Sequence, residues 1–259
     1  MSNIAPLIDH YLAEYARLER DLPGSDANQR ARKDALKAFA EAGFPDTRQE
    51  EWKYTSLRPV EKRRFEASSE AGDVSQDALA AFLPADLDAY RIVIVDGHFD
   101  PRLSSLDGLP QGVQVQSFAQ YLNDNDDARV RSDAIDAQPG SLSDMNAAFA
   151  TDGAYVHVAA NTAADKPIHV ITLSSGGHED RMSQVRHRYV MDRGSQATVS
   201  SSKRLVRSDV FGTSRLTSSA QRAGSGKTPI IGPLQIGPCV RPALTAGFFR
   251  KRRPYRRRP

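Results

Sequence analysis

The stretch Ala154–Val199, "AYVHVAANTAADKPIHVITLSSGGHEDRMSQVRHRYVMDRGSQATV", decides the fold. "AYVHVAA", "PIHVITL" and "VRHRYVM" are short β-branched runs, and "QATV" begins a fourth. Their starts lie about 11–18 residues apart, with Gly, Ser and Asp between them and no helical period. Such spacing suits a meander, a sandwich or the coils of a β-solenoid, and without an internal repeat it does not choose among them.

Upstream, the pattern is helical. Ile4, Leu7, Ile8, Tyr11, Leu12, Tyr15 and Leu18 form one apolar stripe. "DLPGSD" breaks it, and a second helix starting near Ser25 or Asp26 carries Ala31, Ala35, Leu36 and Phe39. Gly43 is its C-terminal cap, and Pro45 prevents continuation. Thr47 and Glu50 then predict a capping box on a short third helix bearing Trp52, with Glu50 in reach of Lys53 and Tyr54. Between these parts, "EASSEAGDVSQ" (Glu66–Gln76) has a linker's composition. "RIVIVDG" (Arg91–Gly97) is a strand entering a tight turn. "VQSFAQYL" (Val115–Leu122) predicts a short helix, "DNDDARVRSDAIDAQPG" a charged surface region, and Met145, Asn146 and Phe149 a small helix.

After Val199 the period is lost. Residues 201–259 carry 14 Lys/Arg against one acid, Asp209, a net of +13. The remaining 21 basic and 31 acidic residues leave positions 1–200 at −10, although the whole chain is only +3. Gly, Pro and Ser are frequent, and "RKRRPYRRRP" (Arg250–Pro259) ends the chain, so 200–259 is expected to be a disordered basic tail. If the coils stop after about three strand runs, an open sheet edge is expected there.

Several chemistries are excluded or weak. A single cysteine, Cys239, leaves no internal disulfide and no multi-cysteine metal site. No run of 18 apolar residues exists, and the N-terminus has acids where a signal peptide has none, so the cytoplasm is the expected compartment. "GSGKT" (Gly224–Thr228) has Gln221 where a phosphate loop needs glycine, and "PII" after it does not open a helix. His157, His169 and His187 lie on three successive runs and would form a metal site only if the strands bring them together. No nucleophile or metalloprotease motif is present, and Tyr54 with Lys53 has no catalytic partner in the sequence. The basic tail would give salt-dependent, sequence-independent affinity for nucleic acid.

The segment "GFPDTRQEEWKYTSLRPV" (Gly43–Val60) resembles the N-terminal motif of the SufD family, through Gly43, Phe44, Pro45, Thr47, Arg48, Glu51, Trp52, Lys53, Tyr54 and Thr55. Asp46 is an extra residue against that pattern. Arg91–Val115, Leu142–Leu173 (with Asn146, Gly153, Pro167 and Ile168) and Arg186–Val199 are similar to later family segments in the same order, so the resemblance covers residues 1–199.

The resemblance implies an α+β chain: a helical N-terminal region (1–65), a linker and mixed segment (66–140), and the first coils of a right-handed parallel β-helix (141–199), with the 200–259 tail unmatched. It implies a non-catalytic subunit of the Suf iron–sulfur cluster assembly scaffold, of the D rather than the B type. Such a subunit pairs with SufB through the β-helices and docks the ATPase SufC through a C-terminal region that has no counterpart here. The Fe–S cluster is assembled by the complex, with no cofactor bound by this chain alone. Gly43, Pro45, Thr47, Arg48, Glu51, Trp52, Lys53 and Tyr54 are then a structural motif, with no catalytic, cofactor or metal residues. The tail is expected to come from a truncated or frameshifted reading, and nucleic-acid binding through it is the alternative function.

Overall fold

The computed structural model describes residues 5–83, 87–125, 141–176, 180–205, 210–221, 227–231 and 235–237. Two helices open the chain, α1 (Ala5–Leu18) and α2 (Asp26–Ala42). The stripe of α1 buries Leu7, Ile8, Tyr11, Tyr15 and Leu18, with Leu12 at its exposed margin. Gly24 (φ 109) makes the turn, and the Ser25 amide donates to Asn28 Oδ1 at 3.0 Å across the first turn of α2. These helices do not close a core between themselves. Their apolar faces pack on Leu142, Met145 and Phe149 of a helix that begins 99 residues after the end of α2, and on Met182. Tyr15 meets Phe149 edge-on at 5.8 Å between centroids.

After a 3-10 turn at Glu50–Trp52 come α3 (Arg58–Glu61), the two-residue strand β1 (Glu66–Ala67) and α4 (Gln76–Ala80). The stretch read as a linker is docked. β1 pairs in parallel with the start of β7 (Arg181–Met191). Gly72 N donates to Asp96 Oδ2 at 3.1 Å, and Ser175 N to Asp96 Oδ1 at 3.0 Å. Small polar residues here allow close approach: a Cβ on Gly72 would sit 2.1 Å from Ser175 Oγ.

β2 (Tyr90–Val95) and β3 (His98–Phe99) form a hairpin whose two-residue loop is Asp96–Gly97, both at positive φ (49° and 93°), as the Asp-Gly signal requires. β4 (Val113–Ser117) takes the first half of the predicted 115–122 helix. Val113 and Val115 alternate into the core there, and Ser117 then caps α5 (Phe118–Asp124) by accepting from Gln120 N at 3.1 Å. α6 (Ser141–Phe149) leads into β5 (Ala154–Val158), followed by β6 (Ile168–Ser174), β7, β8 (Val199–Leu205), β9 (Val210–Gln221), β10 (Lys227–Ile231) and β11 (Gln235–Gly237).

The strands form two sheets. One runs β10-β9-β7-β5-β4, with β1 also on β7 and β11 on β9; the other runs β3-β2-β6-β8. From β5 to β9 the chain alternates between them, and β5, β7 and β9 pair in parallel, as do β2, β6 and β8. Each return to a sheet takes about thirty residues: Tyr155 faces Arg188, Ile168 faces Val199, and Arg181 faces Val210. Between the sheets lie Ile92, Ile94, Val156, Val158, Ile168, Val170 and Val185. The outer face of the second sheet, with Val93, Val95, Ile171 and Leu173, is covered by Val74, Leu79 and Leu103. β6 is therefore buried on both faces, which is why "IHVITL" has apolar residues on both sides of the strand rather than in strict alternation.

The disorder expected from residue 200 does not hold for the described part of that segment. β8 lies against β6, and β9 runs the full length of β7 from Arg181↔Val210 to Met191↔Ala220, so these strands cover the edges expected to stay open. The parallel edges of β6 and β7 supply partners that Ser- and Thr-rich segments accept despite having few apolar side chains of their own. Lys227 and Thr228 of "GSGKT" begin a strand, not a helix.

Candidate functional site

The Gly43–Thr55 motif divides into a buried and an exposed half. Gly43 (φ 68) ends α2, its amide donating to Phe39 O at 2.8 Å, and Pro45 is buried behind it. Phe44 and Trp52 are half-buried against the helical core, with Phe44 edge-on to Phe39 at 5.4 Å. The predicted Thr47–Glu50 capping box does not form. Asp46, the extra residue, takes over: its carboxylate accepts from Arg48 N at 2.9 Å and Arg48 Nε at 2.8 Å, and also from Arg48 Nη2. That side-chain hydrogen bond holds Asp46 below, and Arg48 above, their ordinary pKa values. Gln49 rather than Thr47 precedes the helical turn, which is only three residues long and so leaves no room for the reciprocal bonds of a box. Thr47, Arg48 and Lys53 are exposed, and Tyr54 is 91% exposed with the Lys53 ammonium 5.7 Å from its ring centroid. Glu51 contributes its backbone to the turn.

The three strand histidines lie in three different environments. His157 is on the outer face of the first sheet, with Nε2 3.0 Å from Asp192 Oδ2. His187 is on the same sheet but shares the inward face with Val185 and Tyr189. His169 is on the other sheet, 2.9 Å from Ser202 Oγ. Pleating and sheet alternation separate them, so they do not build a common metal site. Among the described residues no group of three or more His, Cys, Asp or Glu is placed to hold a metal ion.

The densest polar construction is the α6–β5 junction. Asp152 is buried, and its carboxylate accepts from Gly153 N (2.7 Å), Ser117 Oγ (2.8 Å), Ala119 N (2.9 Å) and Phe99 N (3.0 Å). It thereby ties β3, α5 and β5 together. Burial pushes its pKa up against the pull of those donors. With its lone pairs occupied, it is a fastening rather than a general base. One residue on, Gly153 approaches the β7 backbone closely, and His187 Nδ1 accepts from Ala154 N at 3.0 Å. Behind α6, Asn146 donates to Val185 O at 3.2 Å and accepts from Arg186 Nε at 3.2 Å. Beside the junction is an open polar cleft of about 450 Å³ lined by Leu22, Gln29, Ser68, His98, Asn123 and Thr151.

His187 must be neutral to accept at Nδ1, and burial, with Lys203 nearby, lowers its pKa to about 4. The unfolded chain takes up a proton near the ordinary value of 6.5 that the native state refuses. Stability therefore falls as the pH drops from about 6.5 through about 4, by up to about 3 kcal/mol. The upward shift of Asp152 acts with the opposite sign. In denaturant titrations across this range, His187→Asn, whose amide oxygen takes the place of Nδ1 as acceptor from Ala154, should flatten the acid limb. An unchanged limb would exclude His187 as its source.

Sequence reasoning missed Arg32, which is buried and has no ion pair among the described residues. It donates to Ala150 O (2.8 Å), Ala148 O (3.2 Å) and Ala147 O (3.4 Å) at the C-terminal end of α6, and to Pro23 O (3.1 Å) in the turn before α2. The signal was present: Arg32 shares the α2 face of Ala35, Leu36 and Phe39, where an arginine is out of place unless fastened. The basic run Arg250–Arg258 lies outside the described residues. No described helix is long and apolar enough to cross a membrane.

Comparison with known proteins gives this arrangement a lineage. The family described as SufBD protein N-terminal region matches residues 1–170. An iron–sulfur cluster assembly SufBD family protein of Synechocystis sp. is 31% identical over 173 residues, 61% of this chain and 35% of that protein. The iron–sulfur cluster assembly protein SufD of Escherichia coli is 29% identical over 169 residues, 63% of this chain and 36% of that protein. The chain thus spans about a third of the length of these relatives. The matched region takes in the helical unit, the Trp52 motif, the Asp152 junction, β5 and the start of β6, and the chain belongs to the SufBD family.

Proposed function

We propose that the chain acts as a non-catalytic, SufD-like scaffold subunit of Suf iron–sulfur cluster assembly in the cytoplasm. The reading is carried by one observation. A helical unit matched to the family leads into parallel strands that return to the same sheet about every thirty residues. In this reading those returns are the first coils of a right-handed parallel β-helix, and the coil edges meet a SufB-like paralogue. The buried half of the motif, Gly43, Pro45 and Trp52, anchors the helical unit to the coils. Thr47, Arg48, Glu51, Lys53 and Tyr54 complete the same structural motif. The cluster belongs to the complex and is its cargo. A SufC-like ATPase is the second partner in this reading.

The test is co-expression of the tagged chain with SufB-like and SufC-like proteins. The SufB-like protein should co-elute with the chain. Recovery of neither partner would overturn the scaffold reading.

A further inference from the structure

We infer that the exposed half of the motif, from Lys53 to Lys62, is a docking ledge for an extended acidic segment of a partner protein. The stretch Lys53–Arg64 carries five basic residues and one acid, on a body whose first 200 residues have a net charge of −10. Two of the five are committed locally, Arg63 to Asp180 and Arg64 to Pro6 O. Lys53, Arg58 and Lys62 are exposed and take part in none of the ion pairs among the described residues. The neighbouring acids are Asp46, held by Arg48, then Glu50 and Glu51 in the helical turn, and Glu61, half-buried.

Tyr54 stands among these cations, 91% exposed, between two anchors that fix the backbone, half-buried Trp52 and buried Leu57. An ordered, bare tyrosine is the residue type that dominates protein interfaces. The spacing describes the occupant. Arg58 opens α3 and Lys62 caps its end one helical turn later, with Lys62 N donating to Arg58 O at 3.3 Å. Their Cβ atoms are then about 6 Å apart. Same-side residues of an extended chain repeat at about 6.7 Å, so carboxylates at alternate positions of such a segment can meet both cations while its backbone passes Tyr54. A protein segment is favoured over nucleic acid because positions 1–200, with their net −10, repel a long polyanion beyond the ledge, whereas a short segment ends there.

Trp52 is the only tryptophan, so its emission reports on this ledge within the full chain. A dodecapeptide of alternating Glu and Thr, free of tryptophan, should change Trp52 emission saturably, and the matching Gln–Thr peptide should not. Tyr54→Ala, and separately Lys53→Glu with Arg58→Glu, should weaken the apparent affinity at least tenfold while leaving the thermal midpoint unchanged. No emission change with the Glu–Thr peptide, or equal affinity in these variants, would overturn the proposal. A dodecathymidylate that changes the emission at lower concentration than the peptide would overturn it in favour of nucleic acid. The measurement uses the purified chain, so its outcome is separate from co-elution with SufB.

Discussion

Gly153→Ala is expected to unfold or severely destabilise the chain. A Cβ added at Gly153 would lie 1.9 Å from Arg186 O and 2.6 Å from Arg186 C. Those atoms are backbone of the central strand β7, and hydrogen bonds on both sides lock them in place. Thr151 N donates to Gln184 O at 3.2 Å, and Arg186 N to Asp152 O at 3.0 Å. No side chain can rotate away, so either the β5–β7 ladder parts or the junction shifts and Asp152 loses its donors. The expected loss is about 3 kcal/mol or more. It should appear as a large fall in the urea midpoint, or as insoluble protein. Gly108→Ala is the comparison: φ is 77°, but nothing lies within 4 Å of the added carbon. Only the left-handed backbone penalty applies there, about 1 kcal/mol. Equal effects of the two substitutions would contradict the close approach at Gly153.

Arg32→Met should be nearly as damaging. Methionine keeps much of the aliphatic stem but removes the guanidinium donors that reach Pro23, Ala147, Ala148 and Ala150. The last carbonyls of a helix have no intrahelical partner and carry its negative end, so a cation there satisfies both demands. Leaving these acceptors buried and unpaired is expected to cost about 3 kcal/mol. Arg32→Lys should recover only part of this, because one ammonium cannot span four carbonyls on two segments. Chemical denaturation of both variants checks the order wild type, lysine, methionine. A methionine variant as stable as the wild type would mean that water replaces the guanidinium.

What could be read from the sequence was what is encoded locally. The α1 stripe, the glycine end of α2, the Asp96–Gly97 hairpin and the three apolar runs each depend on neighbours within a few positions, and each appears where expected. What could not be read depends on distant partners. β1 is two residues of an apparent linker, made a strand only by the β7 edge that meets them. β8 and β9 lack strong apolar patterning and are strands because β6 and β7 precede them in the sheets. In the motif, Thr47 and Glu50 have the right letters for a capping box, but Asp46 ties the Arg48 amide into a local turn and the helical turn starts only after Gln49. The histidines lie on strand runs that the sequence could list but not assign to faces.

The core beneath α1 and α2 has a consequence for how the chain is made. Its walls include Phe149 and Met182, so the first helices emerge from the ribosome long before the surfaces they will cover. Until translation passes Met182, Tyr11, Tyr15 and Phe39 have no permanent shelter, and β1 has no edge to join. Such late-closing contacts slow folding and leave apolar surface open to chaperones and proteases in the interval. The nascent amino-terminal hairpin is therefore the part of this protein most dependent on the speed of its own synthesis.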